Sequence, residues 1–440
     1  MLVLLWLACT NDDTTPTASE VPTTGTGATT SDTTPTDTDT SDPSEPPTIP
    51  AACQPLPAPT GTVVDVDPSQ DGDLADMLAN AAPDTTFRLA TGTYIIAGSQ
   101  LVASVPGTTI RSASGVPTDV VLEGAFGVTS AIQIAAPFVT VAELTLRSAA
   151  VHLVHVDANS GATTDTLLHG LYLEDFGRGA IAVEAGDTWS DMGTISCNQI
   201  VLTGDGRDRA AACGLAGITI DGGWGWTVRD NTIEGLWCSK GPAAGPALHV
   251  FGGARDIDVV RNRIWDSTLG IQYGEGAAGG RTYDDAPCAG AAAQTFGGRV
   301  VNNMVAADGS EILDSDHGIL TGIAVESACE ALVAHNSVHS GVLPSSGSID
   351  HRFAMTTGRL TNNLASHGIL RSEGSLIVAA GNIENAPVSS WLLPRVGDLH
   401  LVASAQEAIN TGVTDVAADV LDDLDLELRD DRPDVGADEL

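Results

Sequence analysis

The chain is short of positive charge, aromatic rings and long apolar runs, and each shortage removes a class of function. Its 19 Lys+Arg stand against 57 Asp+Glu, a formal net charge of −38. Phosphate binding needs a basic surface, so nucleic acid is excluded as a partner and docking on anionic lipid is disfavoured. Aromatics make up only 4% of the 440 residues, while hydrophobic residues reach 42% and glycines number 48. Small aliphatics with many glycines suit short strands and tight turns rather than packed helices. No Cys-x-x-Cys pair and no His-Glu-x-x-His occurs, so a zinc site has no support from spacing. Solubility is the plain reading of the surplus carboxylates, and Ca²⁺ is the one cofactor they could hold.

The apolar N-terminus Met1-Leu-Val-Leu-Leu-Trp-Leu-Ala-Cys9 is too short to cross a bilayer. Its small residue followed by cysteine resembles the end of a bacterial lipoprotein signal peptide, which implies cleavage before Cys9 and acylation of its thiol. Residues 10–52 are nearly all Thr, Asp, Ser, Pro and Gly, and up to Pro50 they include no Lys, Arg or aromatic residue. Such a tract cannot bury enough apolar surface to offset its ordering entropy, so a disordered, extended tether is expected. The expectation is an exported protein, held on the outer membrane or cell surface by lipid, or secreted. Residues 53–440 would form its one folded domain.

That domain opens with Leu74, Met77, Leu78 and Ala81 at helical spacing, with Asp71 or Asp73 placed to cap them. Short strands with turn residues between them follow. From Ala180 onward two patterns alternate. One is a small residue, then Ile-x-aliphatic or Ile-x-Tyr, as in Ala180-Ile-Ala-Val183, Gly217-Ile-Thr-Ile220 and Gly270-Ile-Gln-Tyr273. The other ends in Asn-x-aliphatic, at Asn198, Asn231, Asn262, Asn303, Asn336 and Asn363. The asparagines recur about every 30 residues, a period that marks a solenoid whose turns accept insertions while its strands keep register. Asn suits a tight turn because it tolerates the left-handed conformation, and stacked asparagines can hydrogen-bond along a ladder.

The repeat resembles that of right-handed parallel β-helix proteins of the pectate-lyase-like kind, over about Gly61–Leu440. Two further stretches carry the likeness: the helix-then-Gly92-Thr-Tyr94 opening, and the Asp430-Asp-Arg-Pro-Asp-Val-Gly-Ala-Asp-Glu439 ending. The resemblance implies an all-β, right-handed parallel β-helix with a short N-terminal capping helix. Upstream of that ending, Leu421–Glu427 lacks the glycine of a Ca²⁺ loop and reads as a solvated acidic cap. Six cysteines remain after Cys9, which allows 15 pairings. Cys213 and Cys238 stand about one coil apart, within disulfide reach when coils stack. The other four cysteines can pair in three ways, of which Cys288 with Cys329 and Cys53 with Cys197 is a guess by elimination.

Strand alternation identifies the residues that face outward. One column reads Ala182, Thr219, His249, Gln272, Ala324, Asp350 and Leu370; two residues on, a second reads Glu184, Asp221, Phe251, Gly274, Glu326, Arg352 and Ser372. His249, Arg352, Asp350 and Glu326 are the candidate catalytic groups, and Asp221, Gln272, Glu184 and Arg371 the candidate substrate-binding ones. Carboxylates, an imidazole and a guanidinium on one face suit sugar binding and general acid–base work. By resemblance, an extended polysaccharide would lie along this ribbon. A lyase or glycoside hydrolase is one expectation, and a non-catalytic structural or adhesive solenoid is the other, because solubility alone demands polar outward columns. The Asn-Thr-Asp, Gly-His-Gly and Arg-Ile-Lys set of polygalacturonase-like enzymes is absent. Lysine is nearly missing from the repeat region, Lys240 being the visible one, which counts against lyases that use a lysine base. The sequence gives no reason to expect more than a monomer. Asp205–Arg209 and Gly274–Gly298 are expected as long loops beside the coil.

Overall fold

The computed structural model describes residues 53–440, apart from 210–212, 239–240, 242, 277–278 and 289–292. Cys9, the tether over 10–52 and Lys240 lie outside the described residues. Three long parallel sheets of 12, 10 and 10 strands run the length of the domain, and one circuit of the chain contributes a strand to each. One coil shows the plan: Thr194–Ser196 in the first sheet, Gln199–Val201 in the second, Ala216–Asp221 in the third. The chain then returns to the first sheet at Thr227–Arg229. This is a right-handed parallel β-helix, the hand that twisted L-strands impose on parallel crossovers.

The interior is a stack of aliphatic residues in register. Ile181, Ile218, Leu248, Ile271, Ile323, Ile349 and Ile369 lie one above another in the third sheet, and the first six are fully buried. Each such side chain contributes about 1.5–3 kcal/mol of hydrophobic burial. The chain offers few large rings because a coil of this width is filled by Ile, Val and Leu.

First and second sheets meet at a two-residue turn, and the asparagine ladder stands there. Asn198, Asn231, Asn262, Asn303, Asn336 and Asn363 are all buried. Each donates both its main-chain N–H and its Nδ2 to the Oδ1 of the next rung, for example Asn262 to Asn303 at 2.9 and 3.0 Å. The ladder ends at Asn382. The left-handed residue, however, is the one before each asparagine: Cys197, Asp230, Arg261, Asn302, His335 and Asn362 all have φ between 52 and 60°. The asparagine is there for its amide, which spans two coils, and not for its tolerance of positive φ.

The other two corners carry the insertions. Some connections from second to third sheet and from third to first are long, such as Val201 to Ala216 and the one that runs through Gly274 to Thr295, while others, such as Phe176 to Gly179, are short; the long ones raise walls beside the third sheet. Asp205–Arg209 does not form a loop but the short helix Gly204–Arg209. Its Arg207 bonds to the carbonyls of Leu202 (2.7 Å) and Gly235, and lies 4.1 Å over the Trp237 ring, tying neighbouring walls together. On the opposite side Arg281 pairs with Asp191 at 2.6 Å, and Tyr283 donates to the Gly253 carbonyl. Disulfides join Cys213 to Cys238, Cys288 to Cys329 and Cys53 to Cys197, with Cα–Cα distances of 6.1, 6.1 and 5.4 Å.

The N-terminal helix spans Leu74–Ala79, and Leu78 and Leu74 close the end of the core. Neither expected aspartate caps it through its side chain; Asp67 caps a preceding 3₁₀ turn, Pro68–Asp73. The acidic C-terminal segment is only partly solvated: Asp425 and Glu427 are exposed, while Asp423 and Leu424 are buried. It runs back along the solenoid and meets arginines: Arg359 with Asp419, Arg261 with Asp422, Arg263 with Asp425. Asp423 and Asp434 are buried, and their oxygens accept from the main-chain N–H groups of Asp425, Glu427, Glu439, Asn410 and Leu440. Buried carboxylates must be bonded, and main-chain amides supply the bonds. No helix among the described residues is long and apolar enough to cross a membrane.

Candidate functional site

The outward face of the third sheet carries both columns in the register that strand alternation implies. His155, Ala182, Thr219, His249, Gln272, Ala324, Asp350 and Leu370 pair in sequence. Asp157 pairs with Glu184, Asp221 with Phe251, Gly274 with Glu326, and Glu326 with Arg352. The candidate residues nonetheless fall into two clusters rather than one continuous ribbon.

The N-terminal cluster surrounds a pocket of about 410 Å³, lined by His152, Arg178, Glu184, Asp221, His249 and Phe251 among others. His249 lies on the Phe251 ring, centroids 4.2 Å apart at 20°. Its Nε2 is shut off from water and meets no partner at hydrogen-bonding geometry. Burial pushes its pKa down to about 4, against a weaker opposing pull from the main chain of Gly274, so the ring is neutral at pH 7. Burial likewise holds His152 down at about 4. His155 donates through Nε2 to Glu184 at 3.1 Å; that bond keeps the Glu184 carboxyl below its ordinary value, although burial opposes it. Burial and the neighbouring Glu184 charge raise Asp221. Arg178 is exposed at the rim and has no ion-pair partner among the described residues.

The second cluster is Glu326, Asp350 and Arg352. Arg352 sits 3.1 Å from Asp350 and 3.7 Å from Glu326. Burial raises both carboxyls, with Arg352 pulling the other way. Gln272 lies against Glu326. Arg371 joins neither cluster. It pairs in register with the buried His351, whose Nδ1 is satisfied by Ser375 at 2.8 Å, and is exposed on the last strand of the sheet. Of the tryptophans, Trp226 is core, Trp237 is buried beneath Arg207, and Trp265 packs against an apolar cluster that includes Met304, Trp391 and Leu399. Trp224 is 41% exposed, but its ring bonds to Asp256 at 3.2 Å, and none of the four lines the pocket.

Reasoning from sequence missed His152, His155 and Arg178. The signal for two of the column members was present. Val154-His-Val-Asp157 has the same alternation as Ile181-Ala-Val-Glu184, so aligning one strand further back puts His155 and Asp157 in the columns. Arg178 lies before its strand, where alternation gives no guidance.

Fold and groove together define a right-handed parallel β-helix protein with a walled pocket on one sheet. Solved structures similar to it include a pectate lyase, at 12% identity over 86% of this chain and 96% of that one, with a TM-score of 0.39. An alginate lyase from a Paenibacillus species is similar at 16% identity over 73% and 95%, TM-score 0.36. A rhamnogalacturonan lyase is similar at 11% over 76% and 91%, TM-score 0.37. No family model matches the chain. No curated protein matches it either.

Proposed function

We propose that this chain is an exported, lipid-anchored β-helix protein that binds a polysaccharide in the groove of its third sheet. The observation that supports this most is the pocket itself, with its stacked His249–Phe251 floor and unpaired Arg178 rim. An aromatic platform receives the apolar face of a sugar ring, and a guanidinium fork suits the carboxylate of a uronate. The Thr/Asp/Pro tether and Cys9 support display on a surface.

Cleavage is a second reading, favoured by the elevated carboxyls of Glu326 and Asp350 beside Arg352, which suit a general acid. The test is retention of the purified protein on immobilised uronic-acid and neutral polysaccharides, with unsaturated product and reducing ends followed in solution. Retention weakened by Arg178→Gln is expected. No retention on any polymer of the panel would leave only a structural or adhesive solenoid.

A further inference from the structure

Three side chains at the N-terminal end of the groove form a donor set that the glycan reading does not use. One ligand atom each from His152, His155 and Glu184 lies within 4.8 Å of the other two. His155 and Glu184 stand on adjacent strands, and their contact across the coils is 3.1 Å. His152 opens the same strand as His155, with ring centroids 5.3 Å apart.

A second, independent observation points into the pocket. His152 is 6% exposed and lines the pocket together with Glu184; its main-chain N–H bonds to the Thr129 carbonyl, but neither ring nitrogen has a hydrogen-bond partner among the described residues. A largely buried neutral imidazole whose ring nitrogens have no protein partner keeps a lone pair free for a ligand in the pocket. Gly179, its neighbour in register on the next coil, leaves the ring room: a Cβ there would stand 3.4 Å from the His152 Cδ2.

We infer that His152, His155 and Glu184 form a divalent transition-metal site, with an open coordination position facing the groove. Two imidazoles and one carboxylate favour Zn²⁺, or Co²⁺ in its place, over Ca²⁺, which takes oxygen ligands. Three protein ligands leave the fourth position to a water or a substrate oxygen. Binding replaces the His155–Glu184 hydrogen bond with two metal–ligand bonds and gives His152 its missing partner. The inference stands apart from the glycan reading, since metal can bind whether or not a sugar does.

The competing donor set among the described residues is His400, Asp425 and Asp438. There His400 is already spent, accepted by Asp398 and by Asp425 at 2.7 Å. The experiment is calorimetric titration of the metal-free purified protein with Zn²⁺, and visible absorption of its Co²⁺ form. One equivalent is expected, with Co²⁺ bands of tetrahedral or five-coordinate intensity. His155→Gln and Glu184→Gln, both on partly exposed side chains, should each weaken binding by at least about 100-fold, the upper end of what loss of a supporting group causes. His400→Gln should leave it unchanged. No stoichiometric binding, binding that survives His155→Gln and Glu184→Gln but not His400→Gln, or preference for Ca²⁺ would each overturn the assignment. Thermal unfolding of each variant without metal separates loss of a ligand from loss of the fold.

Discussion

Removing one interior rung of the asparagine ladder should cost several kilocalories, and the structure says which groups are stranded. In Asn303→Ala the buried Asn262 loses its acceptor for both its main-chain N–H (2.9 Å) and its Nδ2 (3.0 Å). The carbonyls of Val259 and Val301 and the Oδ1 of Asn336 each lose a donor, although Asn336 keeps the Asn303 main-chain N–H at 3.0 Å. An orphaned buried donor costs about 1–3 kcal/mol, so the two donors on Asn262 put the loss at roughly 2–6 kcal/mol. Asn303→Asp keeps the shape but replaces a donor with a carboxylate facing three oxygens, and should be at least as costly. Asn382 ends the ladder half-buried, where water can reach the groups it leaves, so Asn382→Ala should cost about 1 kcal/mol or less. Urea unfolding followed by far-UV circular dichroism measures all three. If the solenoid melts in more than one step, hydrogen exchange on the coils flanking residue 303 supplies the same comparison. A change below about 0.5 kcal/mol for Asn303→Ala, or equal costs at 303 and 382, would refute the reasoning.

Acid should destabilise the pocket. His249 and His152 have folded pKa values of about 4, below the ordinary 6.5, so their stabilising contribution is complete above pH 6.5 and is lost as pH falls towards 4. The slope is about 1.4 kcal/mol per unit for each ring, and His249→Gln should remove its share from the urea midpoint between those limits. Asp438 acts with opposite sign: burial raises it to about 6, so stability is lost as pH rises from 3.8 towards 6, and Asp438→Asn should flatten that limb. Non-reducing peptide mapping should recover Cys213 linked to Cys238, Cys288 to Cys329 and Cys53 to Cys197; any other pairing contradicts the coil register. Arg207→Ala should loosen the wall over Trp237 and speed proteolysis around residues 204–209 while leaving the coil intact, which limited digestion reports.

Much of the fold was legible because a solenoid writes its period into the chain. Each coil must bury the same inward positions and bond the same corner, so Ile218 and Asn231 announce themselves by repetition. Outward register followed from alternation alone, which is why His249, Gln272 and Asp350 lie in one column. What repetition does not encode was missed. His152 and Arg178 act from strand starts, where the chain leaves the two-residue period. The helix at Gly204–Arg209 is too short for periodicity to show. The acidic C-terminal segment looked wholly solvated because composition records charge but not partners; Arg261 and Arg263 on one coil and Arg359 on another meet it only once the chain has folded.

The central claim is that the walled pocket on the third sheet receives a polysaccharide, and affinity electrophoresis through gels containing uronic-acid or neutral glycans tests it most directly. The account predicts retardation by at least one polymer, reduced about tenfold or more in apparent affinity by Arg178→Gln and by Phe251→Ala, consistent with the loss of about 1.4 kcal/mol or more at each contact. Arg371→Gln, outside both clusters, should run as the unaltered protein does. Equal mobility of all four proteins in every gel would contradict it.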